Sequence, residues 1–424
     1  MAQSIFNLVK NVMGAGMLSL PSGVAAFSDS RNAVVPAGAI VAILGALSAY
    51  TFSLIGRSCA ESKAESYEQS WARSVGEKSS WLPAGACVAT CFAGCLAYTL
   101  IIGDSFSALL QGAGAPAFIS SRTNIILTLT ALVLLPLSLL KNLKSLGFTS
   151  MLGSLGLLYT AVMMAVRFFD GSYAVGGKFH GMLPLENIPV FGTKPSSPLR
   201  FLVLVSMLST AYEAHFNAPL FYKELKNNTL PRYNTVVGSS FLVAIVTMTA
   251  ITAFGFLTFG GSTAGFILNN YSTSDRLAGI ARLFVATSIV FSYPLCFVGL
   301  RDGIREMLAG GGSNPMVPSE KGRSAWTIGL LAFVSTVSLF LTDLGFVNSF
   351  GGALVASGII YVFPALMFIQ PLRRRIASGA LRLAGRAGLR GEFLANHAIV
   401  VTGVVMGALG AAVSVLETFT NVLS

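Results

Sequence analysis

A chain of 424 residues that is 54% hydrophobic and only 11% charged is not an ordinary soluble protein, in which about a quarter of the residues carry charge. Its mean hydropathy of +0.72 points to an integral, multi-pass protein of the lipid bilayer. The formal net charge of +11 brings no nucleic-acid partner with it, because the chain has neither a zinc-ligand spacing nor a basic stripe interleaved with aromatics on a soluble domain.

Apolar runs near 20 residues read as spanning helices. They predict an all-α polytopic protein with about eleven spans: 5–27, 33–57, 83–111, 124–140, 146–169, 199–225, 236–260, 276–308, 325–342, 348–370 and 396–421. The first run lacks a basic leader and is too long for a signal peptide, so it reads as a retained first span; it begins almost at once, so a native N-terminal tail is either short or lies outside this sequence. In its middle stands Asn11-Val12-Met13-Gly14-Ala15-Gly16-Met17-Leu18-Ser19-Leu20-Pro21. Glycine weakens a helix and proline cannot donate a backbone hydrogen bond. Backbone groups freed in lipid are tolerated only where protein or a polar cavity covers them. The stretch is therefore a candidate broken helix with a binding site at its centre. The alternative is a packing notch, since small residues also let membrane helices approach closely.

In the third span Cys87, Cys91 and Cys95 recur every four residues on one helical face and read as an interhelical surface rather than a metal site. Cys59 and Cys296 also fall in or beside spans, and no extracellular disulfide pair is evident. After the fifth span comes a Gly- and Pro-bearing connection, 171–198, which divides the chain into 1–170 and 199–371. Five spans per half place equivalent helices in opposite orientations, the geometry of an inverted repeat. That geometry predicts a second broken helix at the start of the second half. The sixth span meets it, because Ser206, Ser209, Thr210, Glu213, His215 and Asn217 interrupt the apolar run before Pro219. Paired breaks in two halves point to a transporter's substrate site. Further on, 310–318 reads as a flexible cytoplasmic connector, 372–395 as a basic cytoplasmic loop whose 373–390 stretch would lie as an amphipathic helix at the headgroups, and 396–424 as the eleventh span.

Alternating the spans puts 20 of the 28 Lys and Arg on the side of the N-terminus. This bias predicts a cytoplasmic N-terminus and explains the basic character without a polyanionic partner. Plasma and vacuolar or lysosomal membranes both remain open.

Amides freed around Gly14, Ala15 and Gly16, at the positive end of the following half-helix, suit a carboxylate. Carbonyls near Ser209, Thr210 and Ala211 suit an ammonium group, so the site as a whole suits a zwitterion such as an amino acid. Tyr98, Phe106 and Tyr212 are candidate walls. Ionisable groups at membrane depth are functional candidates: Glu213 as a proton carrier or as a structural anchor, His215 as a hydrogen-bonded structural residue, with Asp104 and Arg282 beside them; Glu417 reads as interfacial. Asn11 with Thr287, Ser288 and Ser292 could supply oxygens to Na⁺ alongside main-chain carbonyls, or serve as interhelical glue.

The first-span stretch 7–21 resembles the signature opening of the amino acid/auxin permease family, and within it the sodium-coupled neutral amino acid transporter branch. Ile101-Ile102-Gly103-Asp104, Ala211-Tyr212-Glu213-Ala214-His215, Phe221-Tyr222-Lys223-Glu224-Leu225, Phe256-Leu257-Thr258-Phe259-Gly260, Ser292-Tyr293-Pro294-Leu295 and Pro364-Ala365-Leu366 are similar to later motifs of that family. The resemblance implies a LeuT-type fold of five plus five inverted spans with an eleventh appended, and secondary active transport of amino acids with no organic cofactor. It implies a cation site at Asn11 and Ser292. Two departures stand out: Glu213 replaces a usually apolar residue, and Pro219 is shifted by one position. Since the family includes proton-coupled members, both Na⁺ and H⁺ remain candidates for the driving ion. The expected activity is symport of a small neutral amino acid by alternating access. The alternative is an amino-acid sensor of the same fold that transports little. An intramembrane enzyme is disfavoured by three widely separated histidines, His180, His215 and His397.

Overall fold

The computed structural model describes residues 1–140, 149–183, 190–192, 199–308, 320–381 and 386–419. Among them the chain is helical, with one isolated β-bridge between Val190 and Gly260. In order the helices are α1 (Ala2–Val12), α2 (Leu20–Phe27), α3 (Val34–Ser62), α4 (Tyr67–Ser74), α5 (Trp81–Gly112), α6 (Ala117–Ser120), α7 (Arg122–Leu129), α8 (Leu135–Leu139) and α9 (Thr149–Phe169). The second half holds α10 (Phe201–Ala211), α11 (Ala218–Glu224), α12 (Leu230–Phe259), α13 (Arg276–Leu308), α14 (Glu320–Phe340), α15 (Leu344–Gly351), α16 (Phe363–Ala377) and α17 (Ala387–Phe419).

Eight stretches among the described residues are long and apolar enough to cross a bilayer uninterrupted. The other three expected crossings correspond to α1 with α2, to α9, and to α10 with α11, each of them short or broken. The breaks share one plan. After α1 the chain passes through an extended Gly14 (φ −94°, ψ 167°) into a 3₁₀ turn, Ala15–Ser19, and α2 resumes with Pro21 in its first turn. After α10 it passes Tyr212, Glu213 and Ala214 into a 3₁₀ turn, His215–Asn217, and α11 resumes with Pro219 in its first turn. A proline there costs no internal bond, because the first amides of a helix have no carbonyl behind them. The prolines therefore restart the helices as well as helping to end the spans before them.

The two halves interlock. α13 packs along α5 and α9, α12 along α3, and α10 against α2 and α15. On the α5–α13 seam, Cys296 donates to the Cys91 carbonyl at 3.3 Å, and Gly94 and Gly299 lie against the Cys296 and Cys91 sulfurs. The expected tenth span is not a plain helix. Between α15 and α16 it winds into two π turns, Gly352–Ala356 and Gly358–Val362. Gly352 sits so close to the Ser206 carbonyl of α10 that a Cβ would collide with it.

The basic segment differs from the expected amphipathic helix over 373–390. Arg373, Arg374 and Arg375 are the last turns of α16, which ends at Ala377 ahead of Gly379 at φ 74°. Arg390 already belongs to α17. The apolar α16 face thus carries the arginines as a continuation of a span, and Arg374 caps the Val75 carbonyl at 2.6 Å. The connector 310–318 lies outside the described residues, as does most of 184–198.

Candidate functional site

Both breaks face one cavity of about 1360 Å³, which runs between α1, α5, α10, α13 and α15. Its inner wall holds Asn11, Gly14, Ala15, Gly16, Thr90, Tyr98, Thr210, Ala211, Glu213 and Asn348. Its rim holds the exposed Glu68, Glu77, Lys78, Trp81 and Glu306, so it opens at the end where α4 lies and α13 terminates.

At the first break Met13 donates to Val9, Gly14 to Val12 and Met17 to Gly14. The Ala15 and Gly16 amides open the new 3₁₀ turn, and such first amides have no carbonyl behind them within the turn. They are the pair expected from the sequence to meet a carboxylate, and both residues line the cavity. Opposite them, Thr210 Oγ1 donates to the Asn348 main-chain carbonyl at 2.7 Å, and the Asn348 side chain donates to Ser19 Oγ at 2.9 Å. Ser19 Oγ in turn donates to the Gly16 carbonyl at 2.8 Å. Asn348 thus ties both breaks to the wound tenth span. Sequence reasoning missed this residue, which begins an apolar run and breaks no local pattern.

The expected site residues divide. Asn11, Gly14, Ala15, Gly16, Tyr98, Thr210, Ala211, Glu213 and Ser292 line the cavity. Ser209 and Tyr212 do not. The Tyr212 ring turns towards α3 and its hydroxyl donates to the Val41 carbonyl at 3.1 Å, while Ser209 Oγ bonds the Val205 carbonyl in its own helix. Thr287, Ser288 and Phe106 are not part of the lining either, and Ser288 Oγ lies against Gly153 of α9. Asn11 Oδ1 accepts from Asn217 Nδ2 at 3.0 Å, joining the end of the first half-helix to the second break.

The ionisable candidates have separate roles. His215 is fully buried, touches Thr51 Oγ1 and the Ser48 carbonyl at 3.0 Å each, and stacks edge-on against Phe52. Asp104 accepts from Arg122 at 2.6 Å and from Asn269 at 2.9 Å. Arg282 is buried, and its guanidinium donates to the carbonyls of Leu268, Tyr271 and Ser272. Together the last two groups clamp the 3₁₀ turn Ile267–Asn270 over the end opposite the cavity mouth, where it meets the turn Ala15–Ser19. Glu417 pairs with Arg200 at 2.7 Å. At the mouth end, Lys223 Nζ reaches Glu65 at 2.7 Å, and that ammonium holds the exposed carboxyl below the usual range. Glu213 differs from all of these: it accepts from Thr90 Oγ1 at 2.8 Å, and no basic side chain among the described residues pairs with it.

Two helices interrupted at mid-span around one cavity, closed at one end and open at the other, define a multi-pass membrane protein of the LeuT-type transporter fold. The chain belongs to the family described as "Transmembrane amino acid transporter protein", which matches residues 1–382. It is 28% identical over 416 residues to "Putative sodium-coupled neutral amino acid transporter 11" of Danio rerio, covering 95% of this chain and 85% of that one. It is 26% identical over 384 residues to "Amino acid transporter AVT6E" of Arabidopsis thaliana, covering 87% and 75%. Among solved structures, a Na⁺-coupled sialic acid symporter in a substrate-bound outward-open state matches 96% of this chain and 89% of its own, with a TM-score of 0.53 and 13% identity. That last likeness is one of fold. The family and these relatives are transporters rather than enzymes.

Proposed function

We propose that this protein is a secondary active transporter that moves a small neutral amino acid by symport with a cation, Na⁺ or H⁺, through eleven crossings that alternate access. The observation that carries the reading is the convergence of the two helix breaks on a single cavity. In this reading the Ala15 and Gly16 amides take the substrate carboxylate, carbonyls near Thr210 and Ala211 take its ammonium group, and Tyr98 walls the side chain. Asn11 and Ser292 supply oxygens if Na⁺ is the co-substrate, as hard cations prefer. The N-terminus is cytoplasmic by the distribution of Lys and Arg, which makes this conformation open to the cytoplasm.

The experiment is counterflow in proteoliposomes: vesicles loaded with unlabelled alanine, serine or glutamine should exchange the radiolabelled amino acid across a bilayer without any ion gradient. Absence of exchange for every amino acid in a full panel would end the reading.

A further inference from the structure

We infer that Glu213 is the site at which a coupled proton boards this protein, which rests on the transport reading above and decides between its two cations at this position. Glu213 sits inside the second break, just past the end of α10, with its amide donating to the Thr210 carbonyl at 3.3 Å and the 3₁₀ turn still ahead of it. Its side chain reaches the cavity wall and meets Thr90 of α5. The ionisable groups facing it are Tyr67 from α4, Cys87 and Cys91 from α5 and Cys296 from α13. Tyr67 is already spent on the Ile359 carbonyl at 2.8 Å. None of the four is cationic. Among the described residues the other charged side chains of the lining, Glu68, Glu77, Lys78, Asp302 and Glu306, lie nearer the mouth, and Lys10 of α1 is outside the lining.

A carboxylate at membrane depth without a basic partner is costly, and the cost is removed by binding a proton or a cation. The surroundings discriminate between the two. A hard cation such as Na⁺ seeks a shell of oxygens, whereas thiols are soft ligands. Around Glu213 three of the four facing ionisable groups are thiols, and Thr90 Oγ1 is the one side-chain oxygen bonded to its carboxylate among the described residues. A proton needs no shell: one carboxyl oxygen takes it, the other keeps the Thr90 bond, and the group becomes neutral. The cavity mouth supplies water from which the proton comes, and the proton returns to water when the second break faces the opposite side. Glu213 therefore carries charge balance across the conformational change, while the amides of the first break stay with the substrate.

The test uses the full chain in proteoliposomes, free of Na⁺, with radiolabelled alanine, serine and glutamine. A gradient of one pH unit should drive accumulation of about 10-fold at one proton per substrate, with matching alkalinisation of the acidic side reported by a pH-sensitive dye. Glu213→Gln should keep gradient-free exchange but accumulate nothing, and its exchange should no longer vary with pH. Glu213→Asp should retain accumulation. The inference is overturned if wild-type protein exchanges substrate yet the pH gradient drives no accumulation. It is overturned equally if Glu213→Gln accumulates like wild type, or if a monodisperse Glu213→Gln loses exchange as well, which would make the carboxylate a ligand of the substrate ammonium. Should Glu213→Gln fail to fold, the wild-type proton flux and the Glu213→Asp result still decide. Failure of wild-type exchange itself would fall on the transport reading.

Discussion

An added Cβ at Gly14 would meet nothing within 4 Å, whereas at Gly16 it would come to 3.6 Å from Thr210 Cγ2 and 3.9 Å from Ala211 Cα. Neither glycine needs the left-handed backbone; Gly14 is extended. What they provide is room beside the Ala15 and Gly16 amides. Gly14→Val should consequently insert and fold, with an unchanged melting temperature in detergent, while KM for uptake rises about 10- to 100-fold, the scale of one or two charge-assisted hydrogen bonds. Unchanged KM would remove the backbone carboxylate site. Asn348 poses the complementary case, because its side chain touches Ser19 and lines the cavity at once. Asn348→Ala frees a buried hydroxyl from its donor and should cost about 1–2 kcal/mol of stability, read as a lower melting temperature, together with weaker substrate affinity. Loss of stability with unchanged KM would confine Asn348 to a structural role.

The breaks themselves were legible in the chain because proline and small polar residues interrupt otherwise apolar runs at matching places in the two halves. What the runs could not show is direction. Whether a side chain beside a break faces the cavity depends on the dihedrals of the break, and these send Glu213 inward and Tyr212 back onto α3. The π turns of the tenth span escaped for a related reason: they answer to the close contact of Gly352 with Ser206, a partner about 150 residues away in the chain. Asp104 and Arg282 were noticed as costly ions but not as parts of one closure, since their common target, the turn Ile267–Asn270, follows a different helix. In the transport reading proposed above, that closure is shut here and opens when the protein faces the other way. Asn269→Ala removes only its link to Asp104, worth about 1 kcal/mol, and should shift the population towards the opposite opening by roughly 5-fold. Labelling of Cys87 from the mouth should slow accordingly, and an unaltered rate would show that this contact does not bias the equilibrium.

At the scale of the whole molecule, charge and shape bear on the same question. The chain carries +11 overall, yet among the described residues its cavity lining holds Glu68, Glu77, Glu213, Asp302 and Glu306 against the single cation Lys78. A basic exterior on one face suits anionic headgroups and sets orientation, whereas an acidic entrance draws cations and holds off anions by the focusing of field in a low-dielectric cleft. Cys87, Cys91 and Cys296 line the same cavity. They make sidedness measurable without engineering. A membrane-impermeant thiol reagent that is positively charged should modify them and block exchange when applied to the side bearing the N-terminus, and should act faster than an anionic reagent of the same size. The difference should shrink as salt is raised past the range where the Debye length is about 10 Å. Saturating substrate should slow the modification. Equal rates for both reagents, or block from the opposite side alone, would contradict an acidic mouth on the N-terminal face.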